Sequence, residues 1–139
     1  MASVLIVDDE PDGCEVVAAY LGKAGHEVAC VPDGRAALAA LIEKVPDAIV
    51  LDLLMPGMDG FAVLEAIRSY LRWATIPVAI LTAYPEDPRL WHVAQYGVTH
   101  VFVKSKVKLD SLLEWVNERE GRASPPPQEF GPSGPQAGV

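Results

Sequence analysis

Residues 4–10 read VLIVDDE, four branched apolar residues that stop on two carboxylates. A continuous apolar run of this length, without alternation, is the signature of a strand buried on both faces, as in a parallel sheet covered by helices. The signature recurs at Ala48-Ile49-Val50-Leu51 and again stops on a carboxylate, Asp52. Between the two runs the apolar period lengthens. Cys14, Val17, Ala18 and Leu21 form a helical stripe over residues 12–24, closed by Gly25. Glu27–Val31 reads as a second strand, and Asp33 caps a helix to Lys44 with Ala37, Leu38, Leu41 and Ile42 on its inner face. Beyond Asp52, Phe61, Leu64, Ile67 and Leu71 make a third helical stripe. Pro77–Leu81 is a fourth strand, Pro88–Tyr96 a short helix, Val101–Val103 a fifth strand and Leu109–Glu120 a last helix carrying Leu112, Leu113 and Val116. Five strands alternating with five helices predict an α/β fold, a doubly wound five-stranded parallel sheet.

The chain has 139 residues, 50% of them apolar, which suits one domain with a full core. A net charge of −8 opposes a role in binding nucleic acid, which needs a basic face. No apolar run approaches a membrane span, and Met1-Ala2-Ser3 starts no signal peptide. From Gly121 the composition turns to Pro and Gly. Residues 1–120 are therefore expected to be the domain, and residues 121–139 a disordered tail or the start of a linker. Cys14 and Cys30 match no CxxC or metal spacing and are expected to be small buried apolar residues in a reducing, cytoplasmic setting. His26, His92 and His100 are scattered, as surface or capping histidines are. Trp91, Tyr96 and Trp115 are expected in the core, with an exposed aromatic as an alternative anchor for a partner.

On a doubly wound sheet, ligands bind at the carboxyl edge of the strands. The residues that follow the strands there are Asp8 and Asp9, Asp52, Thr82 and Lys104. Three carboxylates on one rim repel one another unless a cation lies between them. An all-oxygen set without His or Cys selects a hard ion, Mg²⁺ with Mn²⁺ as a substitute. A carboxylate, a hydroxyl and a lysine beside such an ion suit phosphoryl transfer to an aspartate, and Asp52, alone on its strand, is the better nucleophile.

With these residues in place, the chain resembles a response-regulator receiver domain of two-component signalling (CheY-like). The likeness covers residues 2–120 and rests on VLIVDDE (4–10), IVLDLLMPGMDG (49–60), AILTAY (79–84) and VFVK (101–104), and on the intervals between Asp9, Asp52, Thr82 and Lys104. It implies a flavodoxin-like sheet of strand order 2-1-3-4-5. It also implies Asp52 as phosphoacceptor, Asp8, Asp9, Asp52 and the backbone carbonyl of Leu54 as metal ligands, and Thr82 and Lys104 as the switch hydroxyl and phosphate-binding cation. Pro56 and Gly60 match the loop that shapes the pocket, where Gly57 and Gly60 are expected to permit tight turns. The implied partners are a sensor histidine kinase or phosphotransfer protein and an output protein or effector domain. A homodimer through the face of the fourth helix, fifth strand and fifth helix is the implied assembly, with no membrane contact.

Two positions depart from the family. Val101 stands where receivers carry an aromatic, and Ser105 where they carry proline, so the Lys104–Ser105 peptide is expected to be trans or strained. Leu54 and Tyr84 flank the pocket without a carboxylate or amide to position water, which predicts slow loss of phosphate. Two other readings compete. An aspartate-nucleophile phosphatase needs an Asp where Leu54 stands, and a pseudo-receiver does not need the intact acidic rim.

Overall fold

The expected alternation is realised as β1 (Ser3–Val7), α1 (Pro11–Lys23), β2 (Glu27–Val31), α2 (Gly34–Glu43), β3 (Ala48–Leu51), α3 (Gly60–Ser69), β4 (Val78–Thr82), a 3₁₀ helix (Pro88–Tyr96), β5 (His100–Val103) and α4 (Leu109–Asn117). This is a computed structural model that describes residues 1–54, 59–98 and 100–120. The boundary expected at residue 121 and the positions Pro56 and Gly57 lie outside the described residues. The strands form one parallel sheet in the order β2-β1-β3-β4-β5.

Period-two alternation sorts each central strand between two apolar layers. Leu5, Val7, Ile49, Leu51, Val78 and Ile80 point to the layer closed by Ala37 and Leu41 of α2 and by Val63, Leu64 and Ile67 of α3. Val4, Ile6, Val50, Ala79 and Leu81 point to the layer closed by Val17 and Leu21 of α1 and by Leu112, Trp115 and Val116 of α4. The two capped helices start as side-chain chemistry dictates: Asp33 accepts the Ala36 amide (2.8 Å) and Asp59 the Ala62 amide (3.0 Å).

Several expectations are corrected. Cys14 and Cys30 are not separate buried residues but a disulfide, with Cα atoms 6.3 Å apart and Cys30 exposed on the edge strand. The βα unit brings the first turn of α1 beside the carboxyl end of β2, a proximity that sequence spacing conceals. His26 is neither a surface nor a capping residue. It is buried, accepts the Ala2 amide at Nδ1 (2.9 Å) and pairs through Nε2 with Asn117 (2.7 Å). Leu71 lies beyond the end of α3 and is 91% exposed, while Trp73 turns back into the core. Ile42 and Trp91 are exposed as well, and Trp115 is buried as expected. Gly60 has no positive φ. Its role is close approach, because a Cβ there would lie 2.4 Å from both the Asp52 carbonyl oxygen and the Leu53 Cα. Among the described residues no peptide bond is cis, so Lys104–Ser105 is trans.

Candidate functional site

The carboxyl rim is built by extending each strand ladder one residue past its end. The Asp8 amide donates to the Val31 carbonyl (3.0 Å), the Asp52 amide to Val7 (2.9 Å) and the Lys104 amide to Thr82 (2.7 Å). These bonds align the residues that follow β1, β3 and β5, so their side chains meet above the sheet. Asp8, Asp9 and Asp52 each present a carboxylate oxygen within 4.8 Å of the others, with Asp8 and Asp52 buried and Asp9 exposed. This set of three hard oxygen donors, without His or Cys, could hold a metal ion.

Lys104 bridges the two buried carboxylates of the cluster and Glu10. Its Nζ donates to Asp52 Oδ2 (3.2 Å), to Asp8 (3.1 Å to Oδ2) and to Glu10 Oε1 (2.9 Å). Burial by itself lowers the Lys104 pKa. The hydrogen bonds to Glu10 and Asp8 and the charges of Asp52 and Asp8 outweigh it, so the ammonium is held well above its ordinary value. At Asp52, burial pushes the carboxyl above the usual carboxylate range, aided by the charge of Asp8. The Leu54 amide, which donates to Oδ1 at 3.1 Å, and the Lys104 ammonium oppose it. A buried carboxylate with one oxygen held by a backbone amide and the other by an ammonium is fixed in orientation.

Thr82 ends β4, is buried, and accepts the Tyr84 amide at Oγ1 (3.0 Å). Leu54 and Tyr84 line one open groove with Glu86, Asp87 and Pro88. Val101 is on β5 opposite Ile80 and is 42% exposed. Ser105 directly follows Lys104 and is exposed. Glu10 is the residue that sequence reasoning missed. It supplies the shortest of the Lys104 contacts, and the signal was its place in VLIVDDE, two residues beyond Asp8 in the same loop.

Comparison with known proteins agrees with this geometry. The sequence pattern of the response regulator receiver domain matches residues 4–117. Protein PilH of Pseudomonas aeruginosa is 31% identical over 118 residues, which cover 84% of this chain and 96% of PilH. Chemotaxis protein CheY4 of Vibrio cholerae superposes with a TM-score of 0.77 at 32% identity, covering 86% of this chain and 98% of that one. Response regulator TrrA of Thermotoga maritima, solved in complex with Mg²⁺–BeF, superposes with a TM-score of 0.73 at 29% identity, covering 85% of this chain and 98% of that one. The chain spans about a third of the length of the transcriptional regulators it also matches, 34% of one and 31% of another. No helix among the described residues is long and apolar enough to cross a membrane.

Proposed function

Because this chain belongs to the family of response regulator receiver domains, we propose that Asp52 is its phosphoacceptor and that Asp8, Asp9, Asp52 and the Leu54 carbonyl bind Mg²⁺, with Mn²⁺ as a substitute. The observation that carries the reading is the buried Asp52 carboxylate, gathered with two further carboxylates and bridged by Lys104. Bound Mg²⁺ would supply charge neutralisation to the rim and to the incoming phosphoryl oxygens. The Asp52 oxygen attacks phosphorus as the bond from phosphorus to the donor breaks, and the product is an acyl phosphate. Lys104 then exchanges its contact with Asp52 for one with a phosphoryl oxygen, and Thr82, whose Oγ1 accepts the Tyr84 amide, donates its own hydroxyl hydrogen to another.

The donor is a sensor histidine kinase or phosphotransfer protein, and the reading places the exchange in the cytoplasm. The output partner, an effector domain or a second copy of the chain, engages the face of the 3₁₀ helix, β5 and α4. Exposed Trp91 and Val101 support that choice. The chain acts on itself only. Neither Leu54 nor Tyr84 carries a carboxylate or amide to position an attacking water, so slow loss of the phosphate is expected.

Intact-mass analysis with Mg²⁺ and a small acyl-phosphate donor tests this. One base-labile phosphate is expected on the wild type and none on Asp52→Asn. Equal incorporation in Asp52→Asn defeats the assignment. Leu54→Asn and Tyr84→Glu are expected to shorten the phosphate lifetime several-fold.

A further inference from the structure

The Cys14–Cys30 disulfide is tied to the acidic rim by the backbone. Cys14 is in the first turn of α1, and its amide donates to the Glu10 carbonyl (3.2 Å). Cys30 is on β2, one residue before Val31, whose carbonyl accepts the Asp8 amide (3.0 Å). The Asp8–Glu10 loop carries two rim carboxylates and the closest Lys104 partner. It is therefore held at each end by a residue that is, or adjoins, one of the two cysteines. The disulfide joins these anchors at a Cα separation of 6.3 Å, within the range a bridge requires. A sheet covered by two complete apolar layers does not need a covalent staple to fold. In the cytoplasmic setting of the proposed function, a disulfide fits a reversible redox element better than a structural one.

We propose that Cys14 and Cys30 form a thiol–disulfide couple addressed by small-molecule thiols and disulfides, and that its closed form holds the Asp8–Glu10 loop in metal-binding geometry. Access sets the direction of attack, because Cys30 is exposed and Cys14 only 2% so. A small thiolate attacks Sγ of Cys30, the protein S–S bond breaks, and Cys14 leaves as a thiolate that takes a proton from solvent. A second small thiolate attacks the small-molecule sulfur of the mixed disulfide and releases Cys30, which is protonated in turn. Two small thiols become one small disulfide as the protein disulfide becomes two thiols; the reverse exchange closes it. Once open, the first turn of α1 is held to β2 by packing alone, and β2 pairs with β1 only, at the edge of the sheet. The loop must then gather Asp8 and Asp9 against their mutual repulsion each time it binds a cation.

This inference rests on the reading of the rim as a metal site, and the experiment separates the two. The full chain, purified without reductant, is compared with the same protein in dithiothreitol and with Cys30→Ser in the same reductant. The exposed position makes Cys30→Ser the variant that keeps the fold. Alkylation in denaturant counts thiols by mass whatever their burial, and the Mg²⁺ dependence of the melting temperature of the native protein reports affinity. The closed form is expected to show no alkylation and the reduced form two labels. Opening is expected to lower the melting temperature by roughly 10 °C. Mg²⁺ affinity is expected to fall about three- to tenfold in the reduced wild type, and Cys30→Ser is expected to match it. Two native thiols that a glutathione-class disulfide cannot close overturn the couple. Mg²⁺ stabilisation of equal affinity in all three samples overturns the coupling alone, whereas no Mg²⁺ stabilisation in any sample overturns the metal site beneath it.

Discussion

Asp52 keeps a carboxylate in a place that disfavours its charge. Burial raises its pKa, and the Leu54 amide and Lys104 offset only part of that rise. The folded state therefore binds this proton more tightly than the unfolded state does. The stability so gained is complete below the unfolded carboxyl pKa and is lost as pH rises through the folded value. At neutral pH the ionised group works against folding, and an amide of the same shape does not. Asp52→Asn is thus expected to melt higher than wild type at pH 7 without Mg²⁺. The gain should shrink as pH falls toward 4. Melting curves of both proteins across that range check the sign, and a variant that is less stable at pH 7 contradicts it. Asp8, Asp9, Asp52, Thr82 and Lys104 were all legible in the sequence because each ends or follows a strand run. Glu10 was not, because its role depends on how the loop folds back toward β5.

Elements were legible where one face or both are buried, and misread where a pattern outran its element. The apolar period of α3 continues to Leu71, but Tyr70 adopts extended backbone and the chain turns, so Trp73 rather than Leu71 reaches the core. No Gly or Pro marks that stop. Gly60 serves close approach rather than the tight turn its residue type predicts. What it supplies is room for the start of α3 against the Asp52–Leu53 backbone, where its own amide donates to the Leu53 carbonyl (2.9 Å). Gly60→Ala must displace the backbone of Asp52, the proposed phosphoacceptor. It is expected to destabilise the domain by about 2–3 kcal/mol and to slow phosphorylation, as denaturant unfolding and intact-mass kinetics would show. If Thr82 is the switch hydroxyl, as proposed, the 3₁₀ helix from Pro88 to Tyr96 is the element that follows from it. It is joined to Thr82 through Tyr84, whose amide Thr82 holds. Val101 is short, stiff at χ1 and part-exposed, without the bulk to swing into space vacated by Thr82. A beryllofluoride mimic should therefore change amide exchange chiefly over residues 82–92, and Val101→Ala should leave partner affinity nearly unchanged. Lost partner binding in Val101→Ala would return the switch to β5.

Across the whole molecule, what stayed hidden in the sequence is what joins elements distant along the chain. His26 ties the start of β1 to the end of α4, and the disulfide ties α1 to β2. Neither partner choice follows from local pattern, since each depends on the packed sheet. The charge distribution, by contrast, was readable at once. Arg122 and Glu129 cancel in residues 121–139, so the net −8 lies within residues 1–120, with Asp8, Glu10 and Asp52 paired to Lys104 at the rim and Asp9 beside Asp8 and Asp52. Two effects of a divalent salt must then be separated, because screening relieves general self-repulsion while site binding relieves the rim. Screening depends on ionic strength and is reproduced by NaCl. Site binding follows mass action and contributes about 2.7 kcal/mol at a hundredfold excess over the dissociation constant. Mg²⁺ should therefore raise the melting temperature well beyond NaCl of matched ionic strength. Asp9 separates the effects further, because it is exposed and its loss leaves the buried rim packed. Asp9→Asn should melt near the wild type without Mg²⁺ and lose most of the Mg²⁺-specific increment, while its response to NaCl is unchanged. If Asp9→Asn keeps the full increment, the bound cation does not use this carboxylate.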